Sequence, residues 1–205
     1  MNQKISFHIP NCKEFRKGYE IYKRKEKRGF VYFEATSMIS KNWGNATKMA
    51  EGISRLIRSW NRFFANFDFD ELVKCIDKNM KTLNRFRSKN IDSFSNKDEK
   101  ITEDLFNQFL VSLRRTLDNV ESPVSVAKAL NPLCQNFFPI WDSSISIAYG
   151  CLYIGGFAAS PYTSFCKKMK LLAKQVELCV PNPDDRSLLK RIDEYNYSKY
   201  TMFWI

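Results

Sequence analysis

The sequence predicts an all-α protein with little or no sheet. Several long segments carry apolar residues at every third or fourth position, which is the spacing of one buried helix face. Ser122-Pro123 and Ser160-Pro161 are typical helix starts, because serine caps a helix and proline fits its first turn. The chain has 205 residues and is 44% apolar, so it can build one sizeable core. We therefore expect a single domain over 1–205.

The first part of the chain is basic. Eight Lys and Arg side chains lie between residues 12 and 28. Residues 29–33, GFVYF, predict a short strand or an aromatic plug, and residues 41–52 begin as a turn around Gly44. We expect this basic segment, 1–45, to pack on a helical body formed by 46–205.

The helices of that body follow from apolar spacing and cap residues. Asp68 or Asp70 can cap the second of them, and the polar run 95–100 is expected to separate it from the third. The aromatic tail from Tyr195 onward is too apolar to be free in solvent and should pack on the body. The predicted helices cover residues 46–65, about 70–92, about 102–119, 122–131, about 161–179, and a last one capped by Asp184.

The charge balance favours an anionic partner. Thirty-three Lys and Arg oppose 22 Asp and Glu, for a net charge of +11. Long-range attraction of this sign is most often used to bind nucleic acid, although a basic protein can also have no such partner.

Six cysteines are scattered along the chain, and His8 is the single histidine. Zinc and iron–sulfur sites need clustered ligands at short spacing, so we predict no metal and no cofactor. The cysteines are expected to be reduced, mostly buried thiols. The N-terminus has no signal pattern, and no window holds the roughly 18 apolar residues of a membrane helix. The sequence thus predicts a cytoplasmic protein without a membrane partner.

Asp142 is the best candidate for catalysis. The chain has no GxxxxGK[ST], GxGxxG or GxSxG motif, and with one histidine it cannot easily form a Ser-His or Cys-His pair. A carboxylate that follows the apolar run 137–141 would act in a low dielectric, where its field is poorly screened. Asp142 could equally cap the helix that begins at Ser143, and the two roles are compatible.

Residues 122–150, SPVSVAKALNPLCQNFFPIWDSSISIAYG, resemble the central segment of the helix-hairpin-helix superfamily of DNA glycosylases. The basic, all-α chain with this segment is also similar to the bacterial anti-phage glycosylases that remove glucosylated hydroxymethylcytosine. The matching positions are Val126-Ala127 for a "TA"-like pair, Pro139 for the turn, Asp142 for the catalytic acid and Tyr149-Gly150 for the helix end.

The resemblance implies a helical bundle of the helix-hairpin-helix type that flips a modified base out of double-stranded DNA and hydrolyses its N-glycosidic bond. Asp142 would stabilise the positive charge that forms on the sugar. The family's paired hairpin glycines are absent at Pro123-Val124-Ser125, so helix N–H groups beginning at Ser122 would hold the phosphate. The lyase lysine would fall near Ser125, which implies a monofunctional enzyme. No iron–sulfur loop is present.

The remaining site residues are expected around this acid. Trp43, with Asn42 beside it in an irregular turn, and Trp141 are candidates for a base-stacking pocket, although Trp141 also suits the core. We expect a monomer that binds double-stranded DNA. The candidates for DNA contact are Ser122, Val124, Ser125, Lys128, Lys167, Lys168 and Arg24, and any single Lys or Arg among them could be just a solvated charge.

Two other functions remain open. A basic helical protein could bind nucleic acid through its Lys and Arg faces without any chemistry. A helical interaction module could instead bind an acidic protein.

Overall fold

The computed structural model describes residues 7–154, 157–180 and 186–205. In these residues the protein is helical, with two isolated bridges, Phe67–Arg115 and Ile154–Phe157, and no strand, which confirms the all-α prediction. The helices of the described residues are α1 (Cys12–Lys25), α2 (Gly29–Lys41), α3 (Ala46–Trp60), α4 (Phe69–Lys78), α5 (Met80–Arg87), α6 (Asn96–Ser112), α7 (Pro123–Leu133), α8 (Ser143–Ala148), α9 (Ala159–Val176) and α10 (Leu188–Asn196).

Polar caps determine where several helices begin. The side chain of Asp68 accepts the N–H groups of Asp70 and Glu71, and Ser122 accepts that of Ser125 with Pro123 in the first turn of α7. Both caps confirm the sequence prediction. Ser187 caps α10 through the N–H of Lys190. The predicted cap Asp184 lies outside the described residues.

The expected strand or plug at 29–33 is wrong, because these residues form the first turns of α2. Tyr32, Ala35, Thr36 and Ile39 are the buried positions of α2, at spacings of three, one and three. This spacing is helical. It becomes visible only over residues 32–39, and the strand was predicted from residues 29–33 alone. α2 packs against α3.

Several helix boundaries also differ from the prediction, among them the ends of α3 and α6, at Trp60 and Ser112, and the start of α9 at Ala159, which Ser160 does not cap. The segment 70–92 is divided at Asn79, whose side-chain amide donates to the carbonyl of Cys75 and so competes with the helix hydrogen bonds. α6 begins at Asn96, within the run that was expected to be a polar break. A capping box between Ser95 and Asp98 starts it, and buried Asp98 also pairs with Lys89 at 2.6 Å.

The main core extends from Phe15 in α1 to Tyr195 in α10. The C-terminal segment Tyr197–Thr201 packs on α8 of the helical body, as predicted, and also on α1. Ser198 Oγ donates to the carbonyl of Gly18 at 2.9 Å, and a Cβ at Gly18 would lie only 2.6 Å from the ring of Tyr195. The tail can therefore approach α1 this closely only because residue 18 is glycine.

Cys12 and Cys179 form a disulfide across 167 residues, so the prediction of reduced thiols is wrong for this pair. The other four cysteines are free and buried, as expected. Nothing in the spacing along the chain indicates the bond, because only folding brings the two residues together. Disulfides are typical of oxidising compartments, and the cytoplasmic location stays a prediction. None of the helices in the described residues combines the length and apolarity that a membrane crossing needs.

We expect loss of this disulfide to lower the free energy of unfolding by about 2–4 kcal/mol, because the bond restricts a long loop of the unfolded chain. Denaturant unfolding of the oxidised protein and of Cys12→Ser/Cys179→Ser measures the change. Reductant should destabilise the wild type and leave the double variant unaffected. Equal stability of the oxidised and reduced wild type would contradict the prediction.

Candidate active site

Asp142 is the N-cap of α8 and is half-buried. Its Oδ1 accepts the backbone N–H of Ile145 at 2.8 Å, and its Oδ2 accepts the hydroxyl of Thr201 at 2.6 Å. Trp141, the preceding residue, is fully buried and donates its indole N–H to the carbonyl of Pro123. The carboxylate is thus fixed from both sides, and the capping role considered for Asp142 is present.

Thr201 belongs to a π-helical segment, Tyr197–Thr201, that continues α10. Short π-helical segments are uncommon and often occur at functional sites. The same part of the chain is tied to α1 through Glu14, which receives hydrogen bonds from Lys199 and from Tyr195. Burial alone would raise the pKa of Glu14, but the hydrogen bonds from Lys199, His8 and Tyr195 outweigh it and lower the pKa to about 2.

A cavity of about 50 Å³ adjoins Asp142. It is large enough for a few water molecules and too small for a nucleobase. Its wall combines three acids, two bases and aromatic rings. The residues around Asp142 in this wall are Tyr22, Glu26, Arg28, Trp60, Lys128, Ile140, Trp141, Ile145, Asp193 and Tyr197.

Lys128 extends from α7 into this wall, and its Nζ donates to the carbonyl of Trp60 at 2.8 Å. Burial lowers the pKa of Lys128 to about 8, because the charged form loses hydration. Asp142 and Asp193 act in the opposite direction and favour the ammonium ion. An amine with this pKa is partly neutral in weakly basic solution.

Asp193, the second acid of the wall, is buried and pairs with Lys190 at 2.6 Å. Burial raises the pKa of Asp193, and the nearby Asp142 adds to the increase, while Lys190 opposes it. The Lys190 ammonium is itself enclosed by the rings of Tyr22, Tyr32 and Trp60, with its Nζ 4.5–5.1 Å from their centres. The carboxylates of Asp193 and Asp142 therefore differ. Asp193 is buried in an ion pair with Lys190, while Asp142 is only half-buried.

The positive side of the wall is also anchored. Arg28 pairs with Glu26 at 3.0 Å and donates to the carbonyl of Ser59 at 3.2 Å. Burial would raise the pKa of Glu26, but the hydrogen bonds from Arg28 dominate and lower it. Among the described residues no cluster of three or more His, Cys, Asp or Glu could hold a metal ion.

The structure brings together only some of the residues predicted for the pocket. Trp141 and Lys128 share the cavity wall with Asp142. Trp43 lines a different cavity, and the side chain of Asn42 donates to the carbonyl of Met38 in its own helix. The structure therefore does not bring Trp43 and Asn42 into the cavity wall at Asp142, and Trp141 is fully buried there; contact of these residues with a base stays a prediction.

The predicted phosphate grip at the start of α7 is occupied by protein contacts. Asn61 Nδ2 donates to the hydroxyls of both Ser122 and Ser125, at 3.0 and 2.8 Å, and these two serines are buried. Val124 is half-buried. These hydroxyls therefore stabilise the start of the helix, and a role for its N–H groups in DNA contact stays a prediction.

The other predicted DNA contacts are surface cations away from the cavity wall. Arg24 is exposed in the last turn of α1. Lys167 pairs with Glu99 at 2.8 Å, and Lys168 donates to the carbonyl of Tyr149. Their contact with DNA stays a prediction.

Thr201 and Asp193 were not identified from the sequence. Thr201 is 59 residues from Asp142, and no spacing rule connects them. The one available signal was composition, since a threonine and acids stand among the aromatic residues of the C-terminal segment. Comparisons with protein-family models, with curated proteins and with solved structures find no match for this chain. The site is therefore interpreted from its geometry.

We expect Asp142→Asn to lower the pKa of Lys128 further below 8, because it removes a negative charge that favours the ammonium ion. NMR titration of the lysine side chain measures this pKa. Asp92→Asn, an exposed carboxylate outside the cavity wall, serves as the control and should leave it unchanged. An unchanged or raised Lys128 pKa in Asp142→Asn would show that the two groups do not interact.

Thr201→Val should lower the free energy of unfolding by about 1.5–3 kcal/mol, because a hydrogen bond to a carboxylate is lost at nearly constant volume. Denaturant unfolding measures the loss. Thr116→Val is the matched control, since it removes an exposed hydroxyl contact to the carbonyl of Asn66 and should change stability by no more than about 0.5 kcal/mol. Equal effects in the two variants would mean that Thr201 does not fix Asp142.

Proposed function

We propose that this protein is a monofunctional DNA N-glycosylase that uses Asp142 to hydrolyse the bond between a modified base and its sugar. The observation that carries the proposal is the way Asp142 is held. A helix cap needs one carboxylate oxygen, which accepts the N–H of Ile145. The second oxygen is fixed by Thr201, from a distant part of the chain, beside a cavity.

Such a carboxylate suits the charge that develops in glycosidic bond cleavage. The sugar passes through a state with positive charge, and a preorganised negative group stabilises that state without reorganising during the reaction. Oδ1 and Oδ2 cannot rotate away, because each has its own donor. Approach of a phosphate-bearing strand is favoured by the net charge of +11 and not by the cavity wall, where Arg28 is paired with Glu26.

The cavity volume defines which part of the substrate could enter. About 50 Å³ holds water, so in this proposal the cavity supplies the attacking water and the sugar of the flipped nucleotide meets the exposed edge of Asp142. A bulky base, such as glucosylated hydroxymethylcytosine in phage DNA, would then lie on the protein surface. A role in antiviral defence is part of the same proposal.

A second function is supported by the same cavity. Both oxygens of Asp142 already have donors, and the neighbouring space is smaller than a base. A protein that only binds nucleic acid, through its net charge of +11, needs neither a free oxygen on Asp142 nor a cavity large enough for a base. This non-catalytic binder predicts salt-sensitive DNA binding that is unaffected by Asp142→Asn.

The two functions are separated by incubating the protein with duplexes that contain cytosine, hydroxymethylcytosine or glucosylated hydroxymethylcytosine, and measuring alkali-labile abasic sites. We expect release of the modified base by the wild type and a loss of about 100-fold or more in Asp142→Asn, which removes the charge that stabilises the sugar. Because asparagine caps helices as well as aspartate does, this variant tests the charge and not the cap.

Asp68→Asn is the matched control, since it makes the same change at the N-cap of α4, outside the cavity wall, and should retain full activity. Borohydride should trap no covalent complex through Lys128 if the enzyme is monofunctional. Base release by Asp142→Asn at the wild-type rate would refute the mechanism, and salt-sensitive binding without release from any duplex would favour the non-catalytic binder.

A further inference from the structure

A second cavity lies beside Trp43 and has a volume of about 360 Å³, much larger than the cavity at Asp142. This volume is in the range of sites that bind small molecules. Its wall is formed by the end of α2, by Arg87 of α5, by the end of α7 with the residues after it, and by the start of α10. The polar and aromatic residues of the wall are Ser40, Trp43, Arg87, Gln135, Asn136, Arg186 and Ser187.

Arg87 gives this cavity its charge. Its guanidinium stacks on the indole of Trp43, with Cζ 3.9 Å from the ring centre, and one Nη donates to Ser40 Oγ at 3.3 Å. The indole is held in turn by Asn84, which accepts its N–H at 2.8 Å. Within the described part of the chain Arg87 has no carboxylate partner, so its remaining donors are oriented and uncompensated.

The other wall residues add hydrogen-bonding groups and no negative charge. Within residues 7–154, 157–180 and 186–205, no Asp or Glu lines the cavity. The side-chain amides of Gln135 and Asn136 make no hydrogen bond there, although the carbonyl of Asn136 accepts the N–H of Ile91. Arg186 contributes less charge than Arg87, because it pairs with buried Glu194 at 3.3 Å.

An exposed guanidinium that stacks on an indole, with neutral amide and hydroxyl groups beside it, is suited to an anion with several oxygens. We propose that the cavity around Arg87 and Trp43 binds a phosphate group. The phosphate could belong to a free nucleotide or to the backbone of a nucleic-acid strand. This site does not depend on chemistry at Asp142.

The position of the cavity relates it to Asp142. Lys128 and Pro132, one from each cavity wall, are one turn apart on α7. Ser187, the N-cap of α10, lines the second cavity, and Asp193, six residues later in the same helix, lines the first. Six residues of helix span about 9 Å. The two cavities are therefore neighbours along α7 and α10, and if both face the same strand, Arg87 would hold a phosphate near the nucleotide at Asp142.

Isothermal titration with inorganic phosphate, a nucleoside monophosphate and a short DNA duplex tests the proposal, each against sodium chloride of equal ionic strength. We expect Arg87→Gln to weaken phosphate-dependent binding by about tenfold or more. Asn136→Asp, which leaves Arg87 in place but adds a negative charge to the wall, should weaken it as well. Lys81→Gln removes the same charge from an exposed position of the same helix and should change affinity by less than about twofold.

The three ligands distinguish the source of the phosphate. Loss of tight monophosphate binding in Arg87→Gln would identify a nucleotide site. If Arg87→Gln weakens binding of the duplex alone, and the salt dependence of duplex binding falls by about one phosphate contact, the site holds a nucleic-acid strand. If the wild type binds none of the three beyond the chloride control, or if Arg87→Gln and Lys81→Gln have equal effects, the proposal is overturned. Base release from modified DNA is a separate readout, so failure here leaves the glycosylase proposal standing.

Discussion

The hydrogen bond from Thr201 to Asp142 is the contact on which the candidate site depends. It joins the start of α8 to the π-helical segment after α10, and the position of that segment is determined by α1. Gly18 allows the tail to approach α1, Ser198 bonds to its backbone, and Glu14 pairs with Lys199. A change at any of these points would displace Thr201 before it altered Asp142 itself. The position of the Asp142 carboxylate thus depends on the packing of α1 against the segment after α10, as well as on residues next to Asp142 in the chain.

Buried charge imposes a second constraint. Lys190, Asp193 and Glu194 are buried together in α10, and Arg186 pairs with Glu194. Charges in such surroundings are tolerated only when they compensate one another, because each loses hydration on burial. The buried charges of this cluster balance one another. The net charge of +11 is therefore carried by the surface of the protein. In the proposed function, attraction of an anionic partner would come from the surface, while Asp142 would act locally.

The sequence was sufficient where one segment contained the whole signal. The start of α7 at Ser122-Pro123, the apolar period of α3, and the placement of Asp142 beside Trp141 all follow from neighbours along the chain. It was insufficient where the signal is divided between segments. The disulfide between Cys12 and Cys179 and the contact between Thr201 and Asp142 depend on long-range packing. The position of Trp43 in a different cavity wall from Asp142 was missed for the same reason, since an irregular turn does not fix the direction of a side chain.

The two cavities suggest how one small helical protein could divide recognition from chemistry. The cavity at Asp142 is small, and two of its charged residues, Arg28 and Asp193, are already in ion pairs, so it offers little binding surface; in the proposed mechanism it would hold only the attacking water. The cavity at Arg87 is several times larger and has an uncompensated cation, but it has no acid or base positioned for catalysis among its described residues. α7 and α10 line both cavities and set the distance between them. Affinity and rate would then respond to different residues, because the groups that bind a phosphate are not the groups that stabilise the charge on the sugar.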